Sequence, residues 1–134
     1  MSETVDPNGW PRPRGYSNGV AAGIGPHGRL LAIAGQIGWN ERNELVDGGI
    51  AEQTAQALRN IVAVLGAANG DASHLVRLTW YVTDKHAYRA AEKAIGSAYR
   101  DIIGDHYPAM TLVQVADLLE DGALVEIEAT AFIP

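Results

Sequence analysis

The sequence predicts an α+β sandwich, with a sheet of about six strands and two helices packed on one of its faces. Three observations carry that reading. Two stretches repeat their apolar residues three and four apart, the spacing of a helix with one buried face. Other stretches are short, β-rich and bounded by glycine, proline or asparagine. The two kinds follow one another as β-β-α-β-α-β-β within 134 residues. Helices on one side leave the sheet's other face to be covered, and in so short a chain a second copy of itself is the economical cover.

The elements follow in order. Asp6 to Gly15 carries Pro7, Pro11 and Pro13 beside Gly9 and Gly15. Prolines remove backbone donors, so this segment is expected as an irregular arm on the surface or against a neighbouring subunit. Tyr16 to Ala22 and Arg29 to Gln36 read as strands joined by the turn Gly25-Pro26-His27-Gly28. A loop from Asn40 to Gly49 leads to the first helix, and a further short strand fits near Ile37 to Val46. The first helix spans Ala51 to Ala68, with Ala55, Leu58, Ile61, Val62 and Leu65 on its buried stripe. Asn69-Gly70 stops it, since both residues tolerate the left-handed conformation that ends helices. Leu75 to Val82 alternates, with Val76, Leu78, Trp80 and Val82 on one side and Arg77, Thr79 and Tyr81 on the other. A second helix from Ala87 to Ile103 buries Tyr88, Ala91, Ile95, Ala98, Tyr99 and Ile102, and Pro108 prevents its continuation. Two β-rich runs, Tyr107 to Val115 and Leu124 to Ala129, flank an acidic turn and read as a closing hairpin. With no repeat, low-complexity tract or linker, residues 1–134 are expected to form one domain.

Composition narrows the function classes. At 47 % apolar the chain can bury a modest core. It has no cysteine, which excludes disulfides, thiolate catalysis and cysteine metal sites and fits a reducing cytoplasm. A net charge of −6 opposes a general nucleic-acid binder. No basic, apolar secretory signal is visible at the N-terminus, and no apolar stretch approaches the roughly 18–20 residues that cross a bilayer. The expectation is a soluble, cytoplasmic protein without a membrane partner.

Gly23-Ile24-Gly25-Pro26-His27-Gly28 matches the dinucleotide fingerprint in letters only. That motif must open a helix, whereas Arg29 onward reads as a strand, so a hairpin turn is expected. His27, His74, His86 and His106 fall in turns or at element ends without metal-ligand spacing, so surface positions and no metal site are expected. Trp80 fits the sheet's packing, while Trp39, at a strand end, could line a pocket or cap the core. Glu126 stands inside an apolar strand; it either faces solvent with Glu128 and Thr130 or is held in a pocket.

Taken together, Gly15-Tyr16-Ser17, Ala34-Gly35-Gln36-Ile37, Gln53 and Leu58-Arg59-Asn60-Ile61 form an ordered series. Leu78 to Asp84, Pro108-Ala109, Val113-Gln114-Val115 and Val125 to Ala129 continue it. The series resembles the RidA/YjgF (reactive intermediate deaminase) family along nearly the whole chain. The resemblance implies a chorismate-mutase-like sandwich with a mixed sheet, a homotrimer with a small-molecule cleft between subunits, and hydrolysis of an enamine or imine without a cofactor. Carried over by position, Tyr16 would place a hydroxyl near the substrate and Glu126 would hold or activate water, with Gly35 and Ala109 lining the cleft. Trp39 joins these as a candidate wall.

This chain departs from the family in three places. Ala34 replaces the usual serine. Leu112 stands where relatives have a small polar residue or cysteine. Met110 replaces the arginine that grips a substrate carboxylate, a contact worth ~3 kcal/mol or about two orders of magnitude in binding. Methionine offers no donor but adapts to irregular apolar ligands. The expectation is an enamine or imine deaminase of altered specificity, poor on short 2-imino acids. The alternative is a non-catalytic homotrimer whose clefts bind a small apolar metabolite or a protein partner. A nucleic-acid role, as for relatives described as endoribonucleases, is disfavoured by the acidic charge, with Arg12, Arg14 and Arg59 as its only suggested patch.

Overall fold

The structure, a computed structural model, describes residues 2–134. Six strands form one mixed sheet: β1 (Ser2–Val5), β2 (Gly19–Gly23), β3 (Arg29–Gln36), β4 (Leu75–Val82), β5 (Ala109–Gln114) and β6 (Val125–Ile133). Their order across the sheet is β1-β2-β3-β6-β4-β5. Only β4 and β5 are parallel; the other neighbours are antiparallel. Three helices, α1 (Ile50–Ala67), α2 (Lys85–Ala90) and α3 (Glu92–Ile102), accompany it. α1 lays Ala57, Leu58, Ile61, Val64 and Leu65 fully buried into the core. At roughly 2 kcal/mol for each large side chain, this stripe is a principal hydrophobic contribution to the fold.

The main departure from the sequence reading is the closing hairpin. β5 does not pair with β6; it lies parallel to β4, with Thr79 opposite Thr111, while β6 inserts between β3 and β4. β-rich runs joined by a short turn look alike whether they pair with each other or with distant strands, and here the distant pairings cover more backbone. The second helix is also divided at Ala91, which closes α2 and opens α3. It begins earlier than expected because Asp84 accepts from the His86 and Ala87 N–H groups at 2.9 and 3.1 Å. Gly104, at φ 94°, follows α3 four residues before Pro108 and turns the chain there. Of its expected buried stripe only Ile95 and Tyr99 are fully buried.

The strand expected from Tyr16 begins only at Gly19, which leaves Tyr16 outside the sheet, and the last strand runs past Ala129 to Ile133. Other elements stand at or near their expected positions. β3 and β4 match their predicted bounds, and Asn69, at φ 63°, follows the end of α1. Ile24 N–H donates to Gly28 O at 3.1 Å, closing the β2–β3 turn and giving the glycine-rich run its structural role. The extra strand near Ile37 to Val46 is reduced to one bridge, Trp39 with Leu45. β4 shifts register between Leu75 and Arg77, so Leu75 rather than Val76 joins Leu78, Trp80 and Val82 in the core. His27 and His86 are exposed, but His74 and His106 are half-buried, accepting from Asp71 N–H and contacting Leu75 O respectively.

The helices leave one face of the sheet open. Val20, Leu30, Val113 and Phe132 stand there, each about 40 % exposed, beside Tyr81, Glu126 and Glu128. Among the described residues, no helix is long and apolar enough to cross a membrane.

Candidate functional site

A cleft of about 320 Å³ opens beside the β3–β6 pairing. Its floor is built by an irregularity in β3. The register with β6 shifts between Ile33 and Gln36, throwing Ala34-Gly35 out of the regular ladder. The displaced Ala34 N–H donates to Asn18 O at 2.7 Å, which ties the segment after Tyr16 to the floor. Asn18 is itself buried and donates from both its backbone and side-chain nitrogens to Asp6 Oδ1. The irregular arm is thus anchored at its beginning and end, and Tyr16 projects from it into the cleft wall.

Glu126 enters from β6. Gly35 is the reason its carboxyl fits: a Cβ at that position would stand 2.6 Å from Glu126 Oε1 and 2.8 Å from Cδ. The missing side chain is therefore filled by a carboxyl group lying across the strand. Burial pushes the Glu126 carboxyl above its ordinary range, and the Glu128 carboxylate on the same sheet face pushes it further. Glu128 is fixed by the Tyr81 hydroxyl, which donates to its Oε1 at 2.5 Å. Among the described residues no cation pairs with Glu126. A carboxyl held in this way can take up and release a proton nearer to neutrality than an exposed one.

Two buried amides hold the remaining walls. Asn60 of α1 donates to Ile37 O at 3.2 Å and Trp39 O at 2.9 Å, placing Ile37 and Trp39 on the cleft. Gln53, also on α1, donates to Gly122 O at 3.0 Å and accepts from Leu124 N–H at 2.8 Å. It thereby fixes the end of the loop that carries Leu118, Leu119 and Glu120 against the cleft mouth. These three residues were not singled out from the sequence. The available signal was a pair of leucines inside an acidic turn, where neither has a helical or strand stripe to join.

The structure brings Tyr16, Ala34, Gly35, Trp39 and Glu126 together. It does not bring Ala109, Met110 and Leu112 to them within one chain. Met110 pairs with Leu78 and so lies on the helix-covered side of the sheet, opposite to Glu126. There it borders a separate recess of about 190 Å³ with Trp80, Tyr88, Tyr99 and Tyr107. Tyr99 and Tyr107 stack with ring centres 5.4 Å apart, and Trp80 meets Tyr88 edge-on at 6.4 Å. The Trp80 indole N–H is buried without a partner. Leu112 packs against the core, and Ala109, opposite Arg77, is exposed.

Comparison with known proteins fits this architecture. Residues 11–133 match the family described as Endoribonuclease L-PSP. A RutC family protein of Pyrococcus horikoshii is 34 % identical over 134 aligned residues, covering 98 % of each chain. The human 2-iminobutanoate/2-iminopropanoate deaminase is 34 % identical over 115 residues, or 81 % of this chain and 80 % of its own. Among solved structures, a Yersinia pestis protein of the conserved Rid protein family superposes with a TM-score of 0.82 at 30 % identity, covering 99 % of this chain and 100 % of that one. Agreement over nearly the whole length, in both sequence and backbone, shows that the chain belongs to the RidA/YjgF family.

Proposed function

We propose that the chain is a RidA-type hydrolase of a reactive enamine or imine, with its specificity moved away from short 2-imino acids. The observation that carries this reading is Glu126: a half-buried carboxyl, raised above its ordinary range, lying across Gly35 in a cleft shared with Tyr16. The human relative's name as an imino-acid deaminase supports the reaction class.

The chemistry asks little of such a site. The protonated Glu126 carboxyl first delivers its proton to the enamine carbon, giving the iminium and the carboxylate. Water then attacks the C=N carbon while Glu126 removes its proton, giving a neutral carbinolamine. The protonated carboxyl returns that proton to nitrogen. Ammonia leaves as the carbinolamine hydroxyl proton passes to Glu126, giving a ketone or aldehyde, ammonia and the protonated carboxyl that began the cycle. Positioning of the water and this proton shuttle are the two contributions the protein makes. The Tyr16 hydroxyl orients the nitrogen or the water.

The cleft is completed between subunits of a homotrimer in this proposal. Met110 and Glu126 lie on opposite sides of one sheet, so a cleft containing both needs two protomers. Ala109 and Met110 of one copy would face Ala34, Gly35, Trp39 and Glu126 of the next, with Leu112 backing them from the core. The open face with Val20, Leu30 and Phe132 gives the assembly its apolar surface.

The test is to generate 2-iminobutanoate in situ with threonine dehydratase and follow its loss. The wild type should show kcat/KM about a hundredfold or more below an arginine-bearing relative. Met110→Arg should regain part of that activity, and adding Glu126→Ala should abolish the gain. Wild-type turnover equal to the relative's would mean that another group holds the carboxylate. No gain from Met110→Arg would favour the non-catalytic, ligand-binding trimer.

A further inference from the structure

We propose that the Glu126 cleft selects for positive charge: its ligand is an iminium or ammonium group on a compact apolar or aromatic body, without a carboxylate. This rests on the reading of the cleft as a C=N hydrolase site and names the class of substrate it would take.

The charge inventory of the walls is the first reason. Glu120 and Glu126 both line the cleft, and none of its lining residues is a lysine, arginine or histidine. A carboxylate ligand would meet two anions and no donor of positive charge. A cation would meet two acceptors in a site partly withdrawn from water, where such interactions are stronger than at an open surface.

The floor repeats the same sign. Glu128 stands two residues from Glu126 on the same sheet face and is held there by Tyr81. The hydroxyl that binds it donates a hydrogen bond and carries no compensating charge. The ionisable side chains that line the cleft with Glu126 or flank it on the sheet are Tyr16, Tyr81, Glu120 and Glu128, none of them basic. Arg77, a cation on the same sheet face, stands on β4 opposite Thr130, beyond Glu128 and outside the cleft lining.

The aromatic walls supply the second reason. Tyr16 and Trp39 border the cleft, and their ring faces attract an organic cation while packing its apolar part. The volume of about 320 Å³ lies near the lower end of small-molecule sites and suits a single ring with a short arm. Ile37, Leu118 and Leu119 give that body its apolar contact.

The recess that bears Met110 does not reverse the balance. Its only charged residues are Glu92 and Arg100, one of each sign. Bringing it against the cleft adds Met110 and aromatic surface without net positive charge. Protonation fits the same preference. A neutral imine entering a cleft with a protonated Glu126 takes that proton and becomes an iminium beside a carboxylate. An iminium arriving with an ionised Glu126 gives the identical pair. In both cases the electrophile is activated before water adds.

The experiment compares three benzyl compounds of different charge on the intact protein by calorimetry at pH 7: benzylammonium, benzyl alcohol and phenylacetate. Benzylammonium should bind at least about tenfold more tightly than phenylacetate, with benzyl alcohol between them. Glu126→Gln should remove most of that preference, and amide shifts on benzylammonium binding should centre on Gly35. Glu128→Gln, an exposed change away from the cleft lining, should weaken the preference less. Phenylacetate binding as tightly as benzylammonium would overturn the proposal. So would undetectable benzylammonium binding, or binding that ignores Glu126→Gln. The outcomes separate from the hydrolase reading: cation preference without imine hydrolysis would remove the enzyme and keep the selectivity. Hydrolysis with a preference for phenylacetate would do the reverse.

Discussion

Gly35→Ala is the most discriminating single change in the proposed site. Gly35 has no positive φ, so alanine imposes no backbone strain there. In a strand it should even recover some of the entropy that glycine loses on folding, about 0.5–1 kcal/mol. The new Cβ, however, would stand 2.6 Å from Glu126 Oε1, where ordinary contact begins at 3.4 Å. The carboxyl must retreat by about 0.8 Å, the difference between those distances. It is the free end of a flexible side chain facing a cleft, so it can move without disturbing the core. A displacement of about 1 Å in a catalytic group costs roughly a hundredfold in rate. The expected result is a melting temperature within about 3 °C of wild type, equivalent to ~1 kcal/mol in a chain of this size, and a hundredfold fall in kcat/KM. The assay is imine loss with the Met110→Arg protein as the active background. Unchanged kcat/KM would refute the catalytic placement of Glu126, and a large loss of stability would show that Gly35 serves the fold instead.

Gln53→Ala should behave in the opposite sense. It leaves Gly122 O and Leu124 N–H unpaired beneath a buried position, costing about 2 kcal/mol and lowering the melting temperature by about 6 °C. Glu126→Gln should stabilise the protein near neutral pH. The carboxyl's folded pKa is raised, so ionised Glu126 disfavours the folded state above that value, and the disadvantage fades as pH falls towards the ordinary carboxylate range. Thermal melts of the two proteins should therefore diverge at pH 7 and converge below pH ~4, the unperturbed range; divergence that grows on acidification would contradict the sign. Light scattering at micromolar concentration should give three times the chain mass, and a monomeric mass would remove the inter-subunit cleft.

The strands and helices that were legible in the sequence are those whose pattern is local. β3 and β4 carry apolar residues that end at turn signals, and α1 carries an uninterrupted stripe closed by Asn69-Gly70. β1 was hidden because Ser2–Val5 is a polar edge strand with only Val5 buried. The pairing of β5 was hidden because register and partner depend on residues 32 positions away, not on the run itself. The cleft was legible where a local oddity marked it, as with a glutamate in an apolar strand. The loop with Leu118, Leu119 and Glu120 gave no such mark, since its place follows from Gln53 on a distant helix. Met110 was identified by position, but its side of the sheet came only from the parallel pairing with Leu78.

The place of β6 has a consequence for how the chain acquires its shape. It follows all the other described strands in sequence, yet it lies between β3 and β4 and joins them. Without it, the β1–β3 ladder and the β4–β5 pair share no strand pairing. The apolar stripe of α1 then lacks the strand bearing Val125, Ile127, Ala129 and Ala131, all buried in the finished protein. On the ribosome, the β1–β5 portion would expose two unmatched strand edges until β6 emerges. Folding should therefore be late and cooperative. A stop codon that removes only Val125 onward should leave an aggregating product, not a slightly smaller native one.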